Sequence, residues 1–413
     1  MASFSVADRR WVARGAARTS SERFALWLTP WVLLLALGLY AGFLCLYRGL
    51  NQTNMDNRFA FGLWIFLDLA VIALGAGAFF TGFLVYILGR KELKPILNSA
   101  VVLGFICYSG AVAVLMIDVG QPLRAWFTFW YPNTHSMLTE VTFCISCYLI
   151  VLSLEYIPLI LRNRRLRKAQ PLLVFEHRLH LLVPVLAGVG TLLSFFHQGS
   201  LGGLYGVLRG RPFAFREHFS IWPSTFFLFI LSAIAAGPSF LMLVTTAAQK
   251  ITRRKLVPEQ IFPRLGLISG VLMAAYVALK AIDTLIWLNV TSPAAGFAPW
   301  EHYAYKPFGS ALLFAEVVVF GLLPAVLLIH GRWRLTGAAL ACCGILLNRF
   351  VLTVQTLALP TLAFDPFLTY TPSWQEVASF GGVIAYGVIV FSLSYRYLPL
   401  YPQEKETPHV SGL

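Results

Sequence analysis

Long runs of apolar residues, interrupted by short polar segments, make up most of this 413-residue sequence. An α-helix needs about 20 predominantly apolar residues to cross a hydrocarbon core about 30 Å thick, and ten runs are of this kind. The pattern therefore predicts an all-α integral membrane protein of about ten transmembrane helices. The predicted spans cover residues 25–48, 61–89, 97–118, 136–161, 178–197, 222–247, 262–288, 309–330, 335–358 and 374–397.

The composition excludes a soluble globular domain. Hydrophobic residues make up 58% of the chain and charged residues only 12%, whereas a soluble domain has about 45–50% apolar and about 25% charged residues. In water this chain would expose more apolar surface than its polar residues could cover. A bilayer removes that conflict, because the outside of the protein is then apolar.

The net charge of +14 is distributed as a membrane topology signal and does not indicate a nucleic-acid partner. Lys and Arg lie in short clusters between the apolar runs, and the segments on the two predicted sides of the membrane hold 23 and 7 of them. The side rich in Lys and Arg faces the cytoplasm. We therefore predict a multi-pass protein in the lipid bilayer of a bacterial inner membrane, with both termini in the cytoplasm.

The order of the spans divides the chain into five predicted segments. They are a basic arm at 1–24, the first span with its outer loop at 25–60, a four-helix bundle at 61–197, a second four-helix bundle at 198–358, and the last span with a cytoplasmic tail at 359–413. The two bundles have the same orientation, because four spans return the chain to its starting side. The likeness of TEVTF at 139–143 to AEVVVF at 315–320 indicates a parallel repeat.

Ionisable residues of the first bundle form one candidate site. Asp68, Asp118, Glu140 and His197 fall in the outer half of their predicted spans, and Glu155 is the exception toward the inner side. Ionisable side chains inside a membrane are costly and mark a functional site by default. The group has no basic partner inside the spans, so its carboxyls and its histidine can exchange protons near neutral pH.

His197 is followed by Gln198 and Ser200 in FFHQGSLGG, at the predicted outer end of the fifth span, and Arg124 lies close by in a loop. Two interpretations stay open: an interfacial histidine bonded to a backbone carbonyl, or a polar pocket at a helix end. A quinone needs two proton-exchanging partners at its carbonyl groups and an apolar slot for its tail. This region could supply both.

Lys280, Asp283, Glu316 and Arg349 form a second group, in the second bundle. Lys280 and Asp283 are three residues apart on one predicted helix and can therefore pair directly. One interpretation is a buried ion-pair cluster that joins spans 7, 8 and 9. The other is a proton path.

We predict that the chain holds no redox centre or metal of its own. Cys144 and Cys147 have half of a metal-site spacing, but no second pair or suitably spaced histidine accompanies them. A membrane haem needs two facing histidines at similar depth. The one pair predicted at similar depth within the spans is His180 and His330, near the cytoplasmic face, where interfacial hydrogen bonding is the better explanation. Neither a haem nor an iron–sulfur cluster is therefore expected in this chain.

Several motifs together resemble the NrfD/PsrC-like family of quinone-interacting membrane subunits. They are FGLWIFLDLAVIALGAGAF (61–79), IDVGQPLRAW (117–126), SMLTEVTFC (136–144), FHQGSLGGL (196–204), AEVVVFGLLPAVLL (315–328), Arg349 and PSWQEV (372–377). The resemblance covers nearly the whole chain beyond the N-terminal arm and is greatest to the long, ten-span members. Among these we favour the menaquinone reductase type over the hydrogenase-2 type, because Lys280 stands where the latter has Arg.

The resemblance implies electron exchange with menaquinone near the periplasmic face. It implies that Asp118, His197 and Glu140 line or protonate the quinone site, that Asp68 lies just below, and that Arg124 anchors the loop above. Gln198 and Ser200 join that site in our prediction. The electrons would come from a periplasmic iron–sulfur subunit, a multihaem cytochrome c, or a subunit of the molybdopterin or hydrogenase kind.

The resemblance also implies a proton path through Lys280, Asp283, Glu316 and Arg349. Two functions from other classes compete with a quinone-reactive subunit. A proton- or ion-conducting secondary transporter would use the parallel halves and the charged second bundle, although transporters place their sites near the midplane. A structural anchor for periplasmic enzymes would need none of the intramembrane carboxyls.

Overall fold

A computed structural model of the protein describes residues 19–163, 166, 170–206, 224–294, 296, 298, 300, 309–355, 357 and 368–402. Ten helices in these ranges are long and apolar enough to cross a membrane, and the same ranges contain no β-strand. The prediction of an all-α membrane protein with ten spans is therefore confirmed.

The ten helices follow the predicted order along the chain. They are α1 (Ser21–Arg48), α2 (Leu63–Ile87), α3 (Lys94–Asp118), α4 (Met137–Leu161), α5 (Gln170–Gly206), α6 (Ser224–Thr252), α7 (Ile261–Ile286), α8 (Ser310–His330), α9 (Arg334–Gln355) and α10 (Trp374–Tyr397). Short helical turns at Leu50–Gln52, Lys91–Leu93, Pro122–Arg124 and Phe127–Trp130 connect some of them. We call the end of the bundle at which α1 ends and α2 begins the outer end, after the predicted orientation.

The fifth helix differs from the prediction at both of its ends. The expected span covered 178–197 and was followed by an outer loop, whereas α5 begins at Gln170 and continues to Gly206. The glycines after His197 serve packing instead of ending the helix. A Cβ atom on Gly199 would collide with the ring of Phe226, and one on Gly202 with the carbonyl oxygen of Thr225.

Helix α2 holds the centre of the fold. It packs against α3, against α6 and against α9, and 71% of the residues in its most apolar stretch are buried. Helix α1 is peripheral by contrast, because it packs mainly on α10 and only 22% of the residues in its most apolar stretch are buried. Its exposed side chains include Leu33, Leu39 and Phe43, which form the apolar outer surface that a bilayer requires.

At two crossings the helix backbones meet through a glycine on each helix. A Cβ atom on Gly77 of α2 would lie 2.7 Å from the carbonyl oxygen of Gly237 on α6, and one on Gly38 of α1 would lie 2.6 Å from Cα of Gly382 on α10. Small residues allow such close approach between membrane helices, where packing replaces the hydrophobic driving force. In α2 the tight contact belongs to Gly77, whereas a Cβ atom on Gly82 would find ordinary packing distance, 3.5 Å from Ala187.

This difference between two glycines of one helix gives a matched test. Gly77→Ala should lower the unfolding temperature of the detergent-solubilised protein, because overpacking a close contact costs about 1–3 kcal/mol. Gly82→Ala should leave that temperature unchanged or slightly higher, since alanine is about 1 kcal/mol more favourable than glycine in a helix. Thermal unfolding of both variants checks the crossing, and equal effects would contradict it.

Candidate functional site

A group of buried polar side chains lies between α2, α3, α4 and α5 in the outer half of the bundle. Asp68, His197 and Gln198 are all almost completely buried. The rings of Tyr108 and His197 lie 5.9 Å apart between centroids, and the Tyr108 hydroxyl is 2.7 Å from Oγ of Ser194. Ser194 and His197 share one face of α5 because they are three residues apart on a helix.

Several atoms of this group lack a hydrogen bond. Neither ring nitrogen of His197 nor Oδ1 of Asp68 bonds to any residue in the described part of the chain, although the backbone carbonyl of Val141 lies near the imidazole. Most buried polar atoms in proteins have a partner, and leaving one without costs about 1–3 kcal/mol. A concentration of such atoms around His197 is therefore typical of a site that receives a polar ligand.

The carboxyl groups of this region line up toward the outer end. Asp118 is the last residue of α3 and lies close enough to interact electrostatically with Asp68 below it and with Glu376 of α10. Within the described ranges neither Asp68 nor Asp118 forms an ion pair. Asp68 also lies close enough to Tyr108 to interact with it electrostatically, whereas Asp118 is connected to the group through Asp68.

Two other predicted residues are less buried than this group. Glu140 is half-buried in the first turn of α4, and Arg124 is exposed in the short turn that follows α3. Neither forms an ion pair with another described residue. The proposed anchoring of a loop by Arg124 therefore stays a prediction.

The prediction that His197 lies at the outer end of the fifth span is wrong. His197 lies nine residues before Gly206, about 14 Å from the end of α5 at 1.5 Å per residue, so it is inside the helix bundle. Gln198 and Ser200 are both fully buried, but they point about 200° apart around the helix. Their membership of the quinone site stays a prediction.

Sequence reasoning missed Tyr108 and Tyr148, which extend the group toward the inner end. Their rings meet edge to face with centroids 4.6 Å apart. Neither tyrosine carries a charge that would mark it in the sequence, yet a tyrosine in mid-span also carries a polar hydroxyl group that needs a partner. Tyr148 further lines a cavity of about 50 Å³ in the inner half, together with Glu155 and Arg162.

The second group of ionisable residues forms a connected chain of contacts across three helices. Glu316 of α8 accepts hydrogen bonds from Lys280 of α7 and from Nδ2 of Asn348 of α9, the latter at 2.5 Å. Arg349 in turn donates to Oδ1 of Asn348 at 2.5 Å. Lys280 thus pairs with Glu316 between helices, so one ion pair of the cluster that the sequence left open as one interpretation is present.

The chain of contacts also reaches α6, which the sequence did not predict. Arg349 donates to Oγ of Ser232 at 3.1 Å, and its guanidinium carbon lies 3.6 Å from the centre of the Phe229 ring. Such stacking on an aromatic ring stabilises a buried cation. Irregular turns accompany these residues, since π-helical segments occupy Ala315–Leu322 and Val351–Gln355, as is frequent at functional sites.

The sequence matches the family described as "Polysulphide reductase, NrfD" over residues 51–360. It is 48% identical over 406 residues to the "Menaquinone reductase, integral membrane subunit" of Nitratidesulfovibrio vulgaris, and the match covers 97% of each chain. It is 23% identical to the "Probable Ni/Fe-hydrogenase 2 b-type cytochrome subunit" of Escherichia coli, over 87% of this chain and 88% of that protein. The "Hdr-like menaquinol oxidoreductase integral membrane subunit" of Archaeoglobus fulgidus is 22% identical, over 89% of this chain and 91% of that protein.

We expect the stability of the protein to depend on the charge balance of the buried pair Lys280–Glu316. Glu316→Gln should lower the unfolding temperature, because removing one partner of a buried pair leaves the other charge uncompensated and costs about 3–5 kcal/mol. The double variant Lys280→Met/Glu316→Gln should recover part of that loss. Thermal unfolding of the purified protein measures both.

The exposed pair Lys255–Glu259 is the matched control. Glu259→Gln should change the unfolding temperature little, since solvent screens an exposed pair. A double variant that is as unstable as Glu316→Gln alone would contradict the charge-balance explanation.

Proposed function

The chain belongs to the polysulphide reductase NrfD family, as the motifs indicated, and we propose that it is the quinone-reactive subunit of a membrane oxidoreductase complex. The observation that carries the proposal is the buried group around His197, where polar atoms without a hydrogen bond lie among aromatic and aliphatic side chains. A quinone head group offers two carbonyl oxygens to such atoms, and its tail needs an apolar path. The relatives named above support a role within an oxidoreductase complex.

The residues of this group suit proton exchange at a quinone. Reduction of a quinone to a quinol adds two electrons and two protons, one proton at each carbonyl oxygen. In our proposal the electrons arrive from a partner subunit, and this chain supplies hydrogen-bond partners and protons. His197 would bond one carbonyl oxygen, while Asp68 and Asp118 are the carboxyl groups that we propose to exchange the protons.

We propose menaquinone as the quinone and the menaquinone reductase type as the subtype. The relative with that name in Nitratidesulfovibrio vulgaris is similar over 97% of each chain, which supports a shared role for the whole membrane subunit. The distribution of Lys and Arg supports an inner-membrane location with cytoplasmic termini, and hence a site near the periplasmic face. Periplasmic iron–sulfur, cytochrome c, molybdopterin-type or hydrogenase subunits are the proposed electron partners.

The second group of residues has a less specific proposed role. The contacts among Lys280, Glu316, Asn348 and Arg349 support a structural function, because each named charge has a partner. Their part in a proton path, and that of Asp283, stays a prediction. The same holds for Glu140, Arg124, Gln198 and Ser200 as members of the quinone site.

Substitution of the histidine tests the proposed site directly. His197→Ala, in the complex purified from its native membrane, should lower the turnover of a menadione-type quinone about 100-fold or more, since a positioned acid or base contributes about 10²–10⁴-fold. Binding of a heptyl-hydroxyquinoline N-oxide, measured by its fluorescence, should weaken in parallel. Asp68→Asn should lower turnover while the inhibitor still binds.

His330→Ala is the matched control, because Nδ1 of His330 lies 3.1 Å from the carbonyl oxygen of Val326 in its own helix, far along the chain from the site. Its turnover should equal that of the unmodified complex. Unchanged turnover and inhibitor binding in His197→Ala would overturn the site, and ion flux through the isolated chain without partner subunits would favour a transporter.

A further inference from the structure

A buried carboxyl group outside the described site joins two helix N-termini at the outer end. Glu376, in the first turn of α10, is completely buried. Its Oε1 accepts hydrogen bonds from N and Oγ of Ser373 at 3.0 and 2.9 Å, with a longer contact of 3.5 Å from N of Asn54. Its Oε2 accepts from N of Leu63 at 3.1 Å and from the Tyr370 hydroxyl.

Capping of α10 explains the hydrogen bonds of only one of the two carboxylate oxygens of Glu376. Ser373 and Glu376 form a capping box at the start of α10, in which a serine and a glutamate bond each other's backbone N–H groups. The other oxygen bonds the first residue of α2, which is 313 positions away in the sequence. The first N–H groups of a helix have no partner within the helix, and a negative charge is favourable at that end.

The backbone before α2 is shaped to admit this carboxyl group. A Cβ atom on Gly62 would lie 2.7 Å from Oε2 of Glu376, 2.5 Å from the Tyr370 hydroxyl oxygen and 2.9 Å from Cγ of Met55. Only glycine fits at this position without displacing a neighbour. The carboxyl group of Glu376 and its neighbours therefore leave no room for a side chain at position 62.

The hydrogen-bond partners of Glu376 are backbone N–H groups and hydroxyl groups that donate to it, which suits the acceptor-only carboxylate form. Burial, and then the hydrogen bond to Glu376, raise the pKa of the Tyr370 phenol above its ordinary value. Tyr370 consequently keeps its proton and donates. With both of its oxygens occupied by donors, Glu376 suits a fixed anchor and does not suit a proton carrier.

The anchored turn leads directly into the proposed quinone site. Asp68 lies five residues after Leu63, about 8 Å along the helix axis at 1.5 Å per residue. Asp118 interacts electrostatically with Glu376 on one side and with Asp68 on the other. A change in the axial position or rotation of the first turn of α2 would therefore displace Asp68.

We propose that Glu376 is a positioning residue for the quinone reaction, which fixes the first turn of α2 so that Asp68 is held at the site. The inference rests on the proposed function. Glu376 itself does not touch the group around His197 and acts through α2. Gly62 and Tyr370 contribute to the same anchoring, because each shapes the contact that Glu376 makes with Leu63.

The test compares local order with catalysis in the complex purified from its native membrane. In Glu376→Gln the amide group faces N–H donors, so hydrogen exchange of the peptide over 63–68 should rise at least about tenfold while α5 exchanges as before. The kcat for a menadione-type quinone should fall about 10- to 100-fold, since small displacements of catalytic groups have effects of that size. The KM should stay within about twofold, because Asp68 acts on protons and not on quinone affinity.

Two further variants keep the test sharp should Glu376→Gln fold poorly. Tyr370→Phe removes a single donor and should give smaller changes of the same kind. Gly62→Ala should reproduce the effects of Glu376→Gln, and the two together should not be additive. Glu92→Gln is the control, because Glu92 lies at the inner end with Arg90 and Arg264 as ion-pair partners, and it should alter neither quantity.

The outcomes separate this inference from the proposed function. Unchanged exchange at 63–68 in Glu376→Gln would overturn the anchoring. Faster exchange with unchanged kcat would show that Glu376 only caps helices, and would overturn the positioning role. The same rise in exchange at 63–68 and the same fall in kcat in Glu92→Gln would trace the effect to general instability and overturn the positioning role too. If the unmodified complex neither binds the N-oxide inhibitor nor reduces a quinone, the proposed function fails first, and this role fails with it.

Discussion

The backbone contact between α2 and α6 at Gly77 and Gly237 is the constraint on which most of the structure depends. Lipid tails are as apolar as the helix surfaces, so membrane helices associate through close packing and polar contacts. Because α2 approaches α6 without intervening side chains, it can also pack on α3 and α9. The helix that carries Asp68 is thereby enclosed on several sides, and its polar groups are removed from lipid.

The two groups of buried polar residues differ in how far their members bond one another. In the second half, Lys280, Glu316, Asn348 and Arg349 satisfy one another in a continuous series, which is how a buried charge becomes tolerable. In the first half, both nitrogens of His197 lack a bond to a described residue. Satisfied groups hold helices together, whereas groups with free hydrogen-bonding capacity can serve a ligand that comes and goes. This contrast is the physical basis for assigning the quinone chemistry to the first half.

The candidate site extends along the bundle axis instead of lying at a single depth. Toward the outer end, Asp118 connects it electrostatically to Glu376, and toward the inner end Tyr108 and Tyr148 lead to the cavity beside Glu155. Helix α5 makes this arrangement possible, because it continues past His197 to Gly206. A histidine at the helix end would face the headgroup region, where water would satisfy its nitrogens.

The sequence by itself determined the features that depend on local composition. Ten apolar runs of sufficient length became ten helices, since in a bilayer a helix is the spanning form that satisfies its own backbone. The family motifs and the closeness of Asp68 to Asp118 could also be read from the chain. Only the tertiary structure decided that Gly199 and Gly202 pack α5 against α6, that Lys280 pairs with Glu316, and that Glu376 bonds the start of α2. Each of these contacts joins residues on different helices, and neither span length nor hydropathy contains information about which helices meet or which faces they present.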